Sequence, residues 1–244
     1  ENGQCLLKTH YYGGIKKYQW PAIPLALHGV VATKNGKTIE LSIGEGNNDP
    51  VFTITDLLPH LGKEQMAKSL ADSFPGESLN VLVGSEPYIE EKLGKDNVKL
   101  NILKLLNDRY GMTEEDFLSA ELELVPAGAA RDAGLDRSMI LGYGHDDRVC
   151  AFAEIEAMLR LPPIPAYTCC CLLTDKEEIG SVGATGMQAK YFENAVAELL
   201  YLATGQESGI ALRRALSNSR MLSCDVSAGF DPLYASAFEK KNAA

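Results

Sequence analysis

The first half of the chain alternates short apolar segments with turn residues. Asn35 and Gly36 lie between two such segments, and both residue types tolerate the positive φ of a type I′ turn, so we predict a hairpin there. Apolar positions recur at helical spacing over residues 98–109, which predicts a helix. We therefore expect an antiparallel sheet module up to about Ser119. Its predicted strands are residues 25–32, 38–43, 51–54 and 79–83, and a second helix is predicted over 63–73.

The second half has a different pattern, in which strands alternate with helices. Thr113, with Asp116 three residues later, is typical of the cap of a short helix. Strands are predicted over residues 121–125, 139–141, 167–173 and 221–226. Helices are predicted over residues 148–161, 187–203 and 209–217. The apolar stripe expected to face inward on the first of these helices consists of Val149, Phe152, Met158 and Leu159. This alternation predicts an α/β fold with a largely parallel core sheet. Ligands gather outside the carboxyl ends of such strands.

Composition narrows the class of protein. The 244 residues are 45% apolar and 23% charged, which is enough for a sizeable core and for one or two domains. A net charge of −10 argues against nucleic acid or an anionic membrane as a partner, because phosphates require clustered Lys and Arg. No apolar run approaches the ~20 residues of a membrane span. The chain starts at Glu1 without a secretory pattern or an initiator Met, so we expect that it begins inside a larger protein or after processing.

The six cysteines follow neither Cys-x-x-Cys spacing nor a regular disulfide framework. Three of them, Cys169, Cys170 and Cys171, are consecutive within an apolar run. We interpret the cysteines as small buried hydrophobic residues in a reducing compartment, which predicts a cytoplasmic protein.

Acidic residues follow several of the predicted apolar segments. Glu177 and Glu178 come soon after the run 167–173, and a pair of neighbouring carboxylates there is costly unless a cation holds it. If this pair is considered alone, the alternative is a solvent-exposed turn that carries acidic side chains without binding a metal. However, Asp146 with Asp147, and Asp225, also lie beside apolar segments. Three acidic element ends in one chain predict a metal site.

Two-metal sites need a shared acid, further acids or His ligands, and a base that is not a ligand. Asp146, Glu178 and Asp225 can supply three of the ligands. Glu177 can point to a water molecule instead and act as the base.

Several segments together resemble the aspartyl aminopeptidase family of di-zinc exopeptidases. Residues 142–150 read Gly-Tyr-Gly-His-Asp-Asp-Arg-Val-Cys, residues 174–181 Thr-Asp-Lys-Glu-Glu-Ile-Gly-Ser, and residues 223–225 Ser-Cys-Asp; residues 11–15 and 121–127 are similar to that family as well. The resemblance covers essentially the whole chain. It implies that Asp146 bridges two Zn²⁺ ions, that Glu178 and Asp225 each ligate one, and that Glu177 is the general base. Other divalent metals remain open.

The resemblance also implies a domain organisation. The family has a zinc-exopeptidase-like α/β domain, a mixed sheet flanked by helices, which is interrupted by a mainly-β dimerisation domain; dimers build a dodecamer. Residues 1–119 resemble the dimerisation domain and residues 120–244 part of the catalytic domain. His60, in the segment Leu-Pro-His-Leu over 58–61, resembles a catalytic His that reaches a neighbouring subunit's site. A surface His in a loop is the alternative.

Two features depart from the family pattern. The family's first metal ligand is a His in a His-x-Asp motif ahead of the insertion, and its last is a His near the C-terminus; neither segment is in this chain. His145 lies in the block of the bridging acid and does not replace the first motif. His10 and His28 lie in the sheet module, where we expect structural roles. The chain therefore resembles an internal part of such an enzyme.

The predicted function is a cytoplasmic zinc aminopeptidase that removes N-terminal residues from peptides, with acidic residues as candidates, and forms homo-oligomers. Neither nucleic acid nor a membrane is an expected partner. The alternative is a non-catalytic assembly module of such an enzyme. A hydrolase of another kind has less support, because the chain has no Gly-x-Ser-x-Gly elbow and no phosphate-binding loop.

Overall fold

The structure is a computed structural model that describes residues 3–11, 13–89 and 96–243. Tyr12, which belongs to one of the family-like segments, lies outside the described residues. The chain divides into two units, Glu1–Tyr143 and Gly144–Ala244. Strand 120–126 belongs to the first unit. The assignment of residues 1–119 to a dimerisation domain and of 120–244 to a catalytic domain stays a prediction.

The first unit is built around a three-stranded antiparallel sheet. Strand β2 (Leu25–Ala32) pairs on one side with β3 (Thr38–Ile43) and on the other with β6 (Ala120–Pro126). The side chains of Val31 and Leu41 pack with Met112 in one buried cluster. These strands confirm the predictions for residues 25–32, 38–43 and 121–125.

The hairpin between β2 and β3 forms at the predicted place with a different turn. Gly36 has a φ of +82°, whereas Asn35 is not among the residues with positive φ, so the type I′ turn is wrong. The amide of Gly36 donates to the carbonyl of Thr33 (2.9 Å), and the Asn35 side chain accepts from the amide of Lys37 (3.3 Å). The connection is a three-residue loop with a glycine bulge at Gly36. The bond from the amide of Lys37 to the Asn35 side chain stabilises a negative φ at Asn35.

A second antiparallel sheet has the order β1 (Cys5–Leu7), β5 (Val81–Gly84), β4 (Thr53–Ile54). Leu25 of the first sheet packs against Ile54, Leu79 and Val81, so one core connects the two sheets. Helix α2 (Asn97–Tyr110) is as predicted and ends at Gly111, which has a φ of +70°.

The predicted helix over residues 63–73 is wrong in length. Only α1 (Lys63–Met66) forms. Beyond it, the hydroxyl of Ser69 donates to Asp72, and the hydroxyl of Ser73 donates to the carbonyl of Ser69. Such local side-chain bonds compete with helix continuation.

Three helices of the second unit confirm the predicted pattern. They are α3 (His145–Leu159), α4 (Tyr191–Thr204) and α5 (Gly209–Asn218). The predicted inner stripe of α3 is not covered, since Val149, Phe152 and Leu159 are exposed. The buried hydrophobic residues found in the described chain all belong to the first unit.

The predicted strands over residues 167–173 and 221–226 are wrong for the described chain. Both segments lack strand pairing, and Tyr167 and Leu222 are exposed. An extended segment becomes a strand only when a neighbour completes its hydrogen bonds, and the described residues of the second unit include no strand.

Strand β8 (Met139–Leu141) does form, paired antiparallel with β7 (Arg131–Ala133). Every strand ladder among the described residues is antiparallel, so the largely parallel sheet is not present in them. The α/β class itself is confirmed. No helix within residues 3–11, 13–89 and 96–243 has the length and hydropathy needed to cross a membrane.

Candidate metal centre

Three carboxylates lie close together in the second unit. Asp146, Asp147 and Asp225 each offer an oxygen atom, and these atoms lie within 4.8 Å of one another. Asp147 is half-buried, and the other two side chains are exposed. It is the one group of three or more His, Cys, Asp or Glu side chains this close together in the part of the chain that the structure describes.

The backbone at the start of α3 brings two neighbouring carboxylates to that point. Gly144 precedes the helix with a φ of +83°, and a Cβ at this position would lie 3.3 Å from Nε of Arg148. Asp146 (φ −84°, ψ 109°) and Asp147 (φ −120°, ψ 42°) have non-helical angles. Asp225 lies on an extended segment, where its Oδ1 accepts a bond from the amide of Val226 (2.8 Å).

Three thiols of the second unit hydrogen-bond to acidic side chains. Cys150 hydrogen-bonds to Asp147, and this bond, with burial as the next cause, raises the pKa of the Cys150 thiol to about 11. Cys171 donates to Oε2 of Glu154 (3.7 Å), and Cys224 also hydrogen-bonds to Glu154. Burial first and this bond second raise the pKa of Cys171, and the bond first and burial second raise that of Cys224. A thiol must lose its proton to ligate a metal, so the arrangement favours the carboxylates as ligands.

The donor set fits a divalent cation such as zinc. Three like charges in close contact repel one another, and a cation removes that cost. Oδ1 of Asp147 is buried and has no hydrogen-bond partner among the described residues. A buried carboxylate oxygen without a partner is unfavourable, and a cation held beside it offsets part of that cost. Zinc binds carboxylate oxygens readily.

The predicted base and its neighbour lie on a tightly constrained loop. Glu177 and Glu178 begin a single 3₁₀ turn, Glu177–Ile179. Two non-glycine residues with positive φ flank this turn, Lys176 at +67° and Ser181 at +58°. Such conformations are strained and persist only where the surroundings hold them in place.

Hydrogen bonds connect both ends of the loop. The amide of Ser181 donates to the carbonyl of Lys176 (2.8 Å), and the side-chain amide of Gln188 donates to the carbonyl of Gly180 (2.7 Å). Gly186 is buried here, and a Cβ at its position would lie 2.2 Å from the carbonyl oxygen of Ser181. The two glutamates are exposed while the backbone beneath them is fixed.

The structure brings some of the predicted site residues together. Asp146 and Asp225 meet as expected, and Asp147, which had no predicted role, joins them. Glu178 is not in that 4.8 Å group, so its role as a ligand, like the role of Glu177 as the base, stays a prediction. The adjacency of Asp147 to Asp146 was the available signal for the added residue.

The histidines of the first unit have different environments. His60 is exposed in a turn between Leu58 and Leu61, which are also exposed. His28 lies on β2 and its Nε2 is 2.8 Å from Oε1 of Glu45. The pairing of His28 agrees with a structural role, and the catalytic role of His60 stays a prediction.

The cysteines correct one expectation. Cys169, Cys170 and Cys224 are exposed rather than buried, and Cys5, Cys150 and Cys171 are half-buried. The run 167–173 has no covering layer in the described chain, which leaves its side chains accessible. The six thiols carry no disulfide.

Comparison with known proteins gives consistent results. Residues 1–244 match the family described as "Aminopeptidase I zinc metalloprotease (M18)". A probable M18 family aminopeptidase 1 from Clostridium acetobutylicum is 54% identical over 240 residues, which are 98% of this chain and 51% of that protein. The chain thus spans about half the length of the curated relatives it matches.

Solved structures agree with the fold. The crystal structure of an M18 aminopeptidase from Thermotoga maritima matches with a TM-score of 0.86 and 42% identity, covering 99% of this chain and 52% of that one. The mApe1 dodecamer of S. cerevisiae, at 19% identity and a TM-score of 0.65 over 100% of this chain and 53% of that one, shares the fold. Sequence and structure agree, and the chain belongs to the M18 family of aminopeptidase I zinc metalloproteases.

Proposed function

We propose that the intact protein containing this chain is a metal-dependent aminopeptidase that removes N-terminal residues, acidic ones among them, from peptides. The observation that carries the proposal is the meeting of Asp146, Asp147 and Asp225 at one point, with a buried unpartnered oxygen on Asp147. Membership of a family described as zinc metalloproteases supports the same reading.

The roles of the residues follow from their chemistry. Asp146, Glu178 and Asp225 would hold the two zinc ions, with Asp146 as the shared ligand. Bound zinc supplies Lewis acidity that polarises the substrate carbonyl and activates water. Asp147, the fourth acid, adds negative charge beside the shared ligand and receives the hydrogen bond from Cys150.

Glu177 is the general base of the proposed reaction. It accepts a proton from the attacking water and later delivers that proton to the leaving amine, which is work suited to a carboxylate within hydrogen-bond reach. Its exposed side chain on a fixed backbone is compatible with this role, because a base must be both accessible and held in orientation.

Assembly and location form the second part of the proposal. The protein is a cytoplasmic homo-oligomer, with dimers building to a dodecamer like the mApe1 dodecamer of S. cerevisiae. Residues 1–119 mediate dimerisation and carry His60 to the partner's site. The exposed Leu58 and Leu61 beside His60 support this proposal, because contact with a second protomer would cover them.

The experiment that tests the function uses the intact gene product. Hydrolysis of peptides with a free N-terminus is compared with hydrolysis of the same peptides after N-acetylation, before and after a chelator and then after added zinc. An aminopeptidase cleaves the free peptides alone, loses activity with the chelator and regains it with zinc. Absence of peptide cleavage by zinc-loaded protein would favour the non-catalytic assembly module.

A further inference from the structure

Asp175 is an exposed acid at the start of the loop that carries Glu177 and Glu178, and it makes several polar contacts. Its Oδ1 accepts from the amide of Lys176 (2.7 Å). Its Oδ2 lies 2.9 Å from Nζ of Lys176 and accepts from the hydroxyl of Thr185 (3.3 Å). The amide of Asp175 also donates to the carbonyl of Thr185 (3.1 Å).

These bonds close the loop across its base. Thr185 lies ten residues beyond Asp175, on the far side of the 3₁₀ turn. One backbone bond and one side-chain bond therefore connect the two sides of the loop. The glutamates therefore lie on a loop that is tied at its start as well as through Gln188.

The ammonium of Lys176 adds an electrostatic reason for the same arrangement. The Lys176 side chain is only 11% exposed, and a charged side chain with so little exposure is stabilised by a carboxylate partner. Glu177 is the next residue in the chain, and Glu178 follows it. Removing Asp175 takes away one carboxylate partner of that ammonium, and a glutamate drawn towards Lys176 in its place is no longer directed at the reaction.

We infer that Asp175 is a positioning residue for the Glu177–Glu178 pair: it binds the ammonium of Lys176 and the hydroxyl of Thr185, and so keeps the pair aligned for the reaction. The inference rests on the proposed aminopeptidase function. Asp175 acts through Glu177 and is not itself assigned contact with substrate or metal.

The experiment measures kcat and KM of the intact protein at saturating zinc, per folded protomer. Asp175→Ala is expected to lower kcat roughly 10- to 100-fold, as small misplacements of a reacting group do, with KM within about twofold. Asp175→Asn is expected to recover part of kcat, because the amide oxygen still accepts from the backbone of Lys176. Thr185→Val is expected to lower kcat, and its matched control Thr185→Ser, which retains the hydroxyl, to restore it.

A double variant separates alignment from ordinary destabilisation. Lys176→Met combined with Asp175→Ala removes the competing ammonium, so its kcat is expected to exceed that of Asp175→Ala alone. A purely structural role would lower the melting temperature of Asp175→Ala and leave kcat per folded protomer at the parent value, which would overturn the inference.

The parent and Glu177→Gln, measured in the same assays, distinguish failure of the proposed function from failure of the positioning role. Absence of peptide cleavage by the zinc-loaded parent would refute the proposed function, and full activity of Glu177→Gln would refute the role of Glu177 as the base. Either result would remove the basis of this inference. An inactive Glu177→Gln together with a fully active Asp175→Ala would refute the positioning role alone.

Discussion

Asp146 and Asp225 bring carboxylate oxygens within 4.8 Å of each other, although the first begins a helix and the second lies on an extended segment. Two like charges from distant parts of the sequence meet at this short distance at a cost, and a bound cation offsets it. Asp147 adds a third carboxylate to the same point. The relationship between these acids is the basis of the proposed metal centre.

The two neighbouring glutamates are expected to respond differently to the same substitution. Glu177→Gln removes the base but keeps the size of the side chain, so kcat should fall about 10²–10⁴-fold while the zinc content stays near that of the parent. Glu178→Gln should instead lose zinc, because a neutral amide is a poor ligand. Zinc analysis and turnover of both variants check this. The opposite pattern would exchange the two roles.

Hybrid oligomers test the proposed role of His60. His60→Ala and Glu177→Gln are each expected to be nearly inactive when expressed alone. Co-expression should restore part of the activity, because a protomer with an intact Glu177 can then receive His60 from its partner. Activity of the hybrids that stays at the level of the two single variants would argue that His60 does not act across an interface.

Gly29 permits a close approach of two strands. Its φ is +143°, and a Cβ there would lie 2.0 Å from the carbonyl oxygen of Glu121 on the neighbouring strand. Gly29→Ala should therefore lower the free energy of unfolding by about 1–3 kcal/mol, because alanine is strained at this φ, and the clash with Glu121 adds to that loss. Gly14→Ala is the matched control, because a Cβ at Gly14 meets nothing within 4 Å. Denaturant unfolding of both variants gives the comparison, and equal midpoints would contradict it.

Asp116 should make the first unit sensitive to acid. Its carboxylate is buried and accepts from the backbone of Thr113, the backbone of Lys34 and the hydroxyl of Thr113; these bonds hold the pKa of Asp116 below its ordinary value of 3.8. A lowered folded-state pKa contributes stability that is present above the unfolded pKa and is lost as the pH falls through the folded one.

The variant Asp116→Asn checks this dependence. It has no charge to lose, so its stability deficit relative to the parent should be largest above about pH 5 and shrink as the pH falls towards about 2. The measurement is the unfolding midpoint of both proteins across that range. A deficit that stays constant, or grows in acid, would show that the carboxylate charge does not contribute as described.

Local patterns in the sequence predicted the parts of the fold that depend on local interactions. The spacing of apolar residues located α2, and Thr113 with Asp116 predicted the cap that both residues form. The strands over 167–173 and 221–226 could not be predicted reliably in the same way, because an apolar run does not reveal whether a neighbouring strand is available to pair with it.

The candidate site shows a similar division. Asp146 and Asp225 were predictable as acids beside apolar segments. Asp147 was named beside Asp146 but received no role, because neighbouring side chains in regular structure point apart. The non-helical angles at Asp146 and Asp147 instead bring both carboxylates into the same group. The bond between Asp175 and Thr185 depends on the loop conformation, which no spacing in the sequence encodes.

The most direct test of the proposed metal centre is the amount of zinc bound per protomer, measured by elemental analysis. The proteins compared are the intact parent, Asp146→Asn, Asp225→Asn and the control Glu207→Gln, which alters an exposed acid of the same unit. We expect zinc and aminopeptidase activity to be lost together in the first two variants and retained in the control. Parent levels of zinc in both Asp146→Asn and Asp225→Asn would contradict the assignment of this acidic cluster as the metal centre.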